Sequence, residues 1–91
     1  MISEELIFER LNEYLGIPNL CELRSKSRQT KYAIARIIYC EYLNRKKVHP
    51  KNIATTLKRD RTTISHIQKK FGELYKVDKK FRDLADEVLK E

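Results

Sequence analysis

The sequence predicts an all-α fold, a compact bundle of about five helices, and three observations carry the prediction. Only two Gly and two Pro occur in 91 residues, so strand-and-turn architectures lack their punctuation. Leu, Ile, Lys, Arg and Glu are abundant. Apolar side chains return at helical spacing in one segment after another, the mark of helices with one buried face. At this length the chain reads as one domain, residues 1–91, whose modest core needs nearly every apolar side chain.

Ser3 is placed to cap a first helix, with Glu4 and Glu5 at the positive end of its dipole. Leu6, Ile7, Leu11, Tyr14 and Leu15 follow at helical spacing until Gly16 and Pro18 end the segment, so a helix is expected over about 3–15. PNLCEL (18–23) makes one short turn that brings Leu20 and Leu23 to the core. RSKSRQTK (24–31) has no apolar residue and reads as a basic linker or the frayed start of the next helix. Tyr32 to Leu43, YAIARIIYCEYL, is apolar nearly all round apart from Arg36 and Glu41, so neighbours must contact it on several sides. This is the expected central pillar. NRKKVH (44–49) breaks it, and Pro50 suits the first position of a short helix over about 50–57, with Ile53, Ala54 and Leu57 on one face. Asp60 caps a longer helix with Ile64, Ile67, Phe71 and Leu74 as its stripe. Asp78 caps the last, lined by Phe81, Leu84, Ala85, Val88 and Leu89.

The net charge of +7 is unevenly spread. Residues 1–20 carry Arg10 against Glu4, Glu5, Glu9 and Glu13, which is −3; residues 71–91 carry five cations against six anions, which is −1. Residues 21–70 hold fourteen Lys and Arg against Glu22, Glu41 and Asp60, which is +11. A cationic middle between acidic ends points to a polyanionic partner, of which nucleic acid is the commonest. Cys21 and Cys40 lack metal spacing and any CxxC, and read as reduced thiols acting as small hydrophobes. The acidic, amphipathic start MISEELIFER is no secretory leader, and no apolar run is long enough to span a bilayer. A cytoplasmic protein without membrane contact is the expectation.

The densest chemistry lies in KRDRTTISH (58–66), where cations and short hydroxyls crowd the start of an apolar period. A short helix over 50–57, a turn at 58–60 and a longer helix from 61 have the proportions of a helix-turn-helix, spanning about 50–75. In that motif the second helix enters the major groove amino end first, which explains the crowding. Its free N–H groups and dipole attract phosphate. Arg61 suits bidentate contact with guanine, Thr62 or Thr63 a thymine methyl or a phosphate, and Asp60 a cytosine amino group. Asp60 also fits a plain helix cap, which is compatible with base contact, and both threonines also fit ordinary first-turn positions. Helical spacing puts Arg61, Thr62, Ser65, His66 and Lys69 away from the core stripe. His66 has no Cys or carboxylate at ligand spacing, so no metal site and no cofactor are expected. Phosphate contacts are expected from the basic linker, Lys46, Lys47, Lys51, Lys69 and Lys70.

RDRTTISH (59–66) resembles the RDHTT(V/I)xH element in the C-terminal origin-binding domain of the bacterial chromosomal replication initiator DnaA. Upstream, Ala35-Arg36-Ile37-Ile38-Tyr39 is similar to that family's ARQxAMYL helix, and PKNIATTL (50–57) to its LPEIGxxF helix, with Ile53-Ala54 at the Ile-Gly. ERLNEYLGIPNLCELRSKSR (9–28) resembles its leading helix, short second turn and basic joint. The likeness covers about residues 5–75 and is most specific in the RDxTT core. It implies a helix-turn-helix domain that binds duplex DNA sequence-specifically at replication-origin-type boxes, with replication proteins as further partners. By the same resemblance Arg59, Asp60, Thr62, Thr63 and His66 fall on the DNA-contacting element. Arg61 stands where the family has a base-contacting histidine, which implies a different preferred base pair. Lys58 replaces the Gly-Gly before Arg-Asp, one residue shorter. The family's minor-groove arm corresponds to Arg28, or to Arg24 and Lys26. With no phosphate loop in 91 residues, the resemblance implies a domain without ATPase, either a fragment of an initiator or a stand-alone protein.

Two other readings stand beside this one. The acidic first and last helices would suit a small protein-interaction module with nonspecific nucleic-acid affinity, and a transcription regulator is close to the leading reading. An enzyme with a small-molecule substrate is not expected, since no paired carboxylates, Ser–His–Asp or Cys–His spacing, or glycine loop occurs.

Overall fold

Five of the six helices among the described residues start at a side-chain acceptor just before the first turn. In the computed structural model, which describes residues 2–25 and 29–91, Ser3 Oγ accepts the Leu6 N–H at 3.2 Å and opens α1, Glu4–Leu15. Asn19 Oδ1 accepts from Glu22 N at 2.9 Å and opens α2, Leu20–Leu23. The long helix α3 runs over Thr30–Arg45. His49, expected in a loop, caps α4 (Pro50–Leu57): its Nδ1 accepts from Lys51 N at 3.1 Å. Asp60 Oδ1 accepts from Thr63 N at 2.7 Å before α5, Arg61–Val77, and Asp78 Oδ1 accepts from Phe81 N at 3.1 Å before α6, Lys79–Leu89. Each acceptor satisfies an N–H that a helix start leaves without a partner. The one-turn segment counted, the bundle has six helices among the described residues.

The α3 helix extends two residues beyond the expected span at each end, because Thr30, Lys31, Asn44 and Arg45 continue the turn without contributing to the apolar pattern. It is buried all round, through Ala35, Ile37, Ile38, Tyr39, Cys40, Tyr42 and Leu43, and every other helix packs against it. Ile7 and Leu11 of α1, Ile53 and Leu57 of α4, Ile64 and Phe71 of α5, and Phe81, Ala85 and Val88 of α6 close the core around it. Two tyrosines of α3 tie down the amino-terminal segment. Tyr39 donates to Glu4 Oε1 at 2.6 Å and Tyr42 to the Ile2 carbonyl at 3.0 Å, so both rings are buried with their hydroxyls satisfied. The Cα radius of gyration of 11.9 Å matches the ~12 Å of a folded chain this long, so one body forms. No described helix is long and apolar enough to cross a membrane.

Both cysteines are free thiols, and Cys40 packs in the core as a small hydrophobe, where burial pushes its thiol up to about 12; Cys21 does not, because Leu20 and Leu23 take the core side of so short a helix.

The helices end differently from how they begin. Gly16 takes φ 72 and its N–H returns to Asn12 O at 2.9 Å. Lys47 (φ 62) and Lys58 (φ 53) take the same left-handed conformation at the ends of α3 and α4. A non-glycine residue there costs about 1 kcal/mol, and the hydrogen bonds of the cap offset it. Gly72 is different: it lies within α5 with no atom within 4 Å of where a Cβ would stand. Gly16→Ala is therefore expected to destabilise by about 1 kcal/mol and Gly72→Ala to stabilise by about 0.5–1 kcal/mol. Urea denaturation of the two variants checks this opposition of sign.

Candidate nucleic-acid interface

The turn between α4 and α5 is closed by backbone bonds that a short polar linker can make. Lys58 N donates to Thr55 O at 3.2 Å and Arg59 N to Ala54 O at 3.0 Å, the pair that ends a helix on a left-handed residue. Lys58 alone, in the left-handed conformation, thus makes the turn. Asp60 then reverses the chain into α5. Its carboxyl is held below the usual aspartate range, first by the Thr63 N–H, then by the Thr63 hydroxyl, with Thr62 N–H and His66 adding less. Asp60 is thus a cap, with one oxygen occupied at 2.7 Å and the side chain exposed.

Behind the turn sits a group of three arginines, none of which the sequence pattern places there: Arg24 is expected in a minor-groove arm, Arg59 on the DNA-contacting element, and Arg36 has no expected role. Arg24 Nε donates to Thr56 O near the end of α4 at 2.7 Å. Arg36, from the middle of α3, donates through Nε to Leu23 O at 2.9 Å and through Nη2 to Ser25 O. Arg59 reaches Ser25 O at 3.0 Å and Arg24 O at 3.4 Å with Nη2, and the Leu57 and Lys58 carbonyls with Nη1. Five donors on a fixed fork let each guanidinium hold several carbonyls at once, which a lysine cannot do. Arg36 is held below its ordinary pKa, first by burial and then by the charge of Arg59 beside it. Backbone carbonyls, not carboxylates, are what keep these like charges together. The sequence signal was available in Arg36, a lone cation in an otherwise apolar stretch, which has to face something polar.

In front of the turn lie the other predicted residues. Arg61 and Thr62 are exposed on the first turn of α5, and Ser65, His66 and Lys69 are exposed on the following two. Thr63 is half-buried beside them, while Ile64 and Phe71 face the core. Ile67, expected to anchor α5, is only partly covered and looks onto a groove against α3. Lys51 is exposed in the first turn of α4. Arg61, Lys69 and Lys51 make no side-chain hydrogen bond or ion pair among the described residues, so their charge is available to a partner. Arg59 differs from the rest of its set, since it is half-buried and engaged with four carbonyls. Arg28 and Lys26 lie outside the described residues. Arg24, the other candidate for a minor-groove arm, has its Nε on Thr56 O.

Comparison of the chain with protein-family models, with curated proteins and with solved structures finds no match in any of the three.

Removing a guanidinium from behind the turn leaves carbonyls without donors. Arg36→Met is expected to cost about 1–2 kcal/mol, the lower end reflecting relief of its repulsion with Arg59. Hydrogen exchange should show the loss as reduced amide protection in Leu20–Leu23 and the α4–α5 turn, with α6 unchanged.

Proposed function

We propose that this chain binds duplex DNA, with α4, the 58–60 turn and α5 acting as a helix-turn-helix and the amino end of α5 lying in the major groove. The observation that carries the reading is the state of that end among the described residues: its outward side chains are exposed, and Arg61 and Lys69 have no ion-pair partner. Asp60 supplies the start of the helix, and Arg61, Thr62, Ser65, His66 and Lys69 stand along one exposed side of its first turns. The helix dipole and the cations around it favour phosphate, while Arg61 has the reach and fork for a guanine edge. Arg59 has a different part in this account. With its donors on the carbonyls of the turn and of the 24–25 segment, it ties the turn before α5 to the segment after α2.

The resemblance to the origin-binding element of DnaA supports a narrower reading, in which the target is an origin-type box and the role lies in replication initiation or its regulation. Arg61 in place of the family's histidine would then shift the preferred sequence. Affinity comes from Lys51, Lys69, Lys70 and the basic segment before α3; specificity comes from Arg61 with the threonines.

Neutralising about six phosphates gives a log–log salt slope near −5. Selection from a random duplex library followed by titration at several salt concentrations tests the reading. Arg61→Ala should relax base preference by about 1–3 kcal/mol at one position, and Lys69→Ala should weaken all duplexes alike and reduce the slope by about one. If both variants shift selected and random duplexes equally, the helix does not read the groove.

A further inference from the structure

A second surface lies on the side of α5 turned toward α3 and α6. Two depressions of about 370 and 440 Å³ share Ala33, Ile37 and Lys70 and form one continuous groove along α3. Its floor is apolar: Ala33, Ile37, Ile67, Leu74, Phe81 and Leu84 follow one another from the α5 amino end to α6. Ile67, Leu74 and Leu84 are only partly covered although they pack on the core, so the bundle leaves a band of apolar surface unfinished. Its rim is cationic. Lys70 borders both depressions and Lys80 the second, neither ammonium group paired among the described residues; His66, Arg36 and Arg59 border the first, the two arginines with donors turned to backbone carbonyls. The one carboxylate on the rim, Asp78, has an oxygen occupied by the Phe81 N–H.

We infer that this groove docks an acidic amphipathic helix of a protein partner. From Thr63 to Leu74 the α5 wall is about 16 Å long, close to three helical turns, the span over which a docked helix places anchors at i, i+4, i+7 and i+11. Apolar anchors suit the floor, and Asp or Glu beside them suit the ammonium groups of Lys70 and Lys80 on the rim. A phosphodiester backbone fits less well, because its charge would lie over Ile37, Ile67 and Leu74. A second copy of this chain does not supply the occupant either. Its acidic helix α1 and its charge-balanced α6 already bury their apolar faces through Ile7, Phe8 and Leu11 and through Phe81, Ala85, Val88 and Leu89. The inference does not rest on the duplex reading, which centres on Arg61, Ser65 and Lys69 and meets the groove only at Thr63, His66 and Lys70 on its rim.

The test is a fluorescence-anisotropy titration of the full chain, without DNA, against a labelled 18-residue helical peptide with leucines at i, i+4, i+7 and i+11 and glutamates on both flanks. The same peptide with lysine for glutamate is the charge control. Ala33→Glu and Lys70→Glu alter exposed positions on the groove, and circular dichroism confirms that both remain folded. The glutamate peptide is expected to bind saturably, the lysine peptide at least ten-fold more weakly, and each variant to lose at least ten-fold in affinity for the glutamate peptide. Equal binding of the two peptides, no saturable binding, or variants that bind like the parent would overturn the assignment. So would displacement of the peptide by a 12-nucleotide single strand whose own binding is lost in Ala33→Glu, since the groove would then belong to nucleic acid.

Discussion

Helix carboxyl ends in this bundle are held by arginines that lie outside those helices, and the arrangement of everything else depends on it. A helix leaves its last carbonyls without donors, and the usual remedies are a glycine cap or a cation in the last turn. With two Gly in the chain, and no basic residue in the last turn of α2, α4 or α6, those remedies are mostly missing. Arg10 of α1 donates to the Val88 carbonyl of α6 at 3.1 Å and also reaches Lys90 O. Arg24 serves Thr56 O in α4, while Arg36 and Arg59 serve the Leu23, Arg24 and Ser25 carbonyls after α2. Each bond satisfies a carbonyl and at the same time ties together two parts of the chain that are far apart in sequence or belong to different elements. A guanidinium fork aimed at particular carbonyls adds direction that apolar packing lacks.

The same device sorts the charge of the molecule into two kinds. Arg24, Arg36 and Arg59 direct donors inward to the backbone, and their contribution is to position α2, α4 and the turn against α3. Arg61, Lys69 and Lys51 face solvent without a carboxylate partner among the described residues, and their contribution is a field that a polyanion can meet. A net charge of +7 therefore overstates what is available to a partner, because part of it is spent on the fold. The division also separates two surfaces of α5. Its outer side, beginning at Arg61, is polar and cationic. Its inner side, at Ile67 and Leu74, is apolar with a cationic edge. Thr63 and His66 stand at the border between them, on the rim of the groove.

Much of this was legible in the sequence because it is local. The acceptors Ser3, Asp60 and Asp78 sit next to the N–H groups they satisfy, so the starts of α1, α5 and α6 can be read from a few residues. The apolar circumference of Tyr32 to Leu43 announced a central helix. Lys58 was harder, since nothing in its chemistry advertises a left-handed backbone, and only the shortness of the turn required one. The arginine caps were not legible for a different reason: Arg24 and Thr56 are 32 residues apart, and Arg59 and Ser25 are 34 apart. Periodicity and spacing say nothing about contacts at that range. Arg59 sits within a run that reads as an interface, so its inward direction appears only in three dimensions. The groove was hidden because Ile67 and Leu74 satisfy the pattern of a core stripe whether or not a neighbour covers them completely.

The account turns on whether the exposed amino end of α5 is where a duplex lies. Backbone amide chemical shifts of the labelled chain, followed by NMR through a titration with a random-sequence duplex, locate the contact directly. The account predicts that the largest shifts fall within Arg61–Lys69 and around Lys51, and that raising the salt concentration reverses them together. Shifts centred on α1 and α6, with Arg61–Lys69 unmoved, would contradict it.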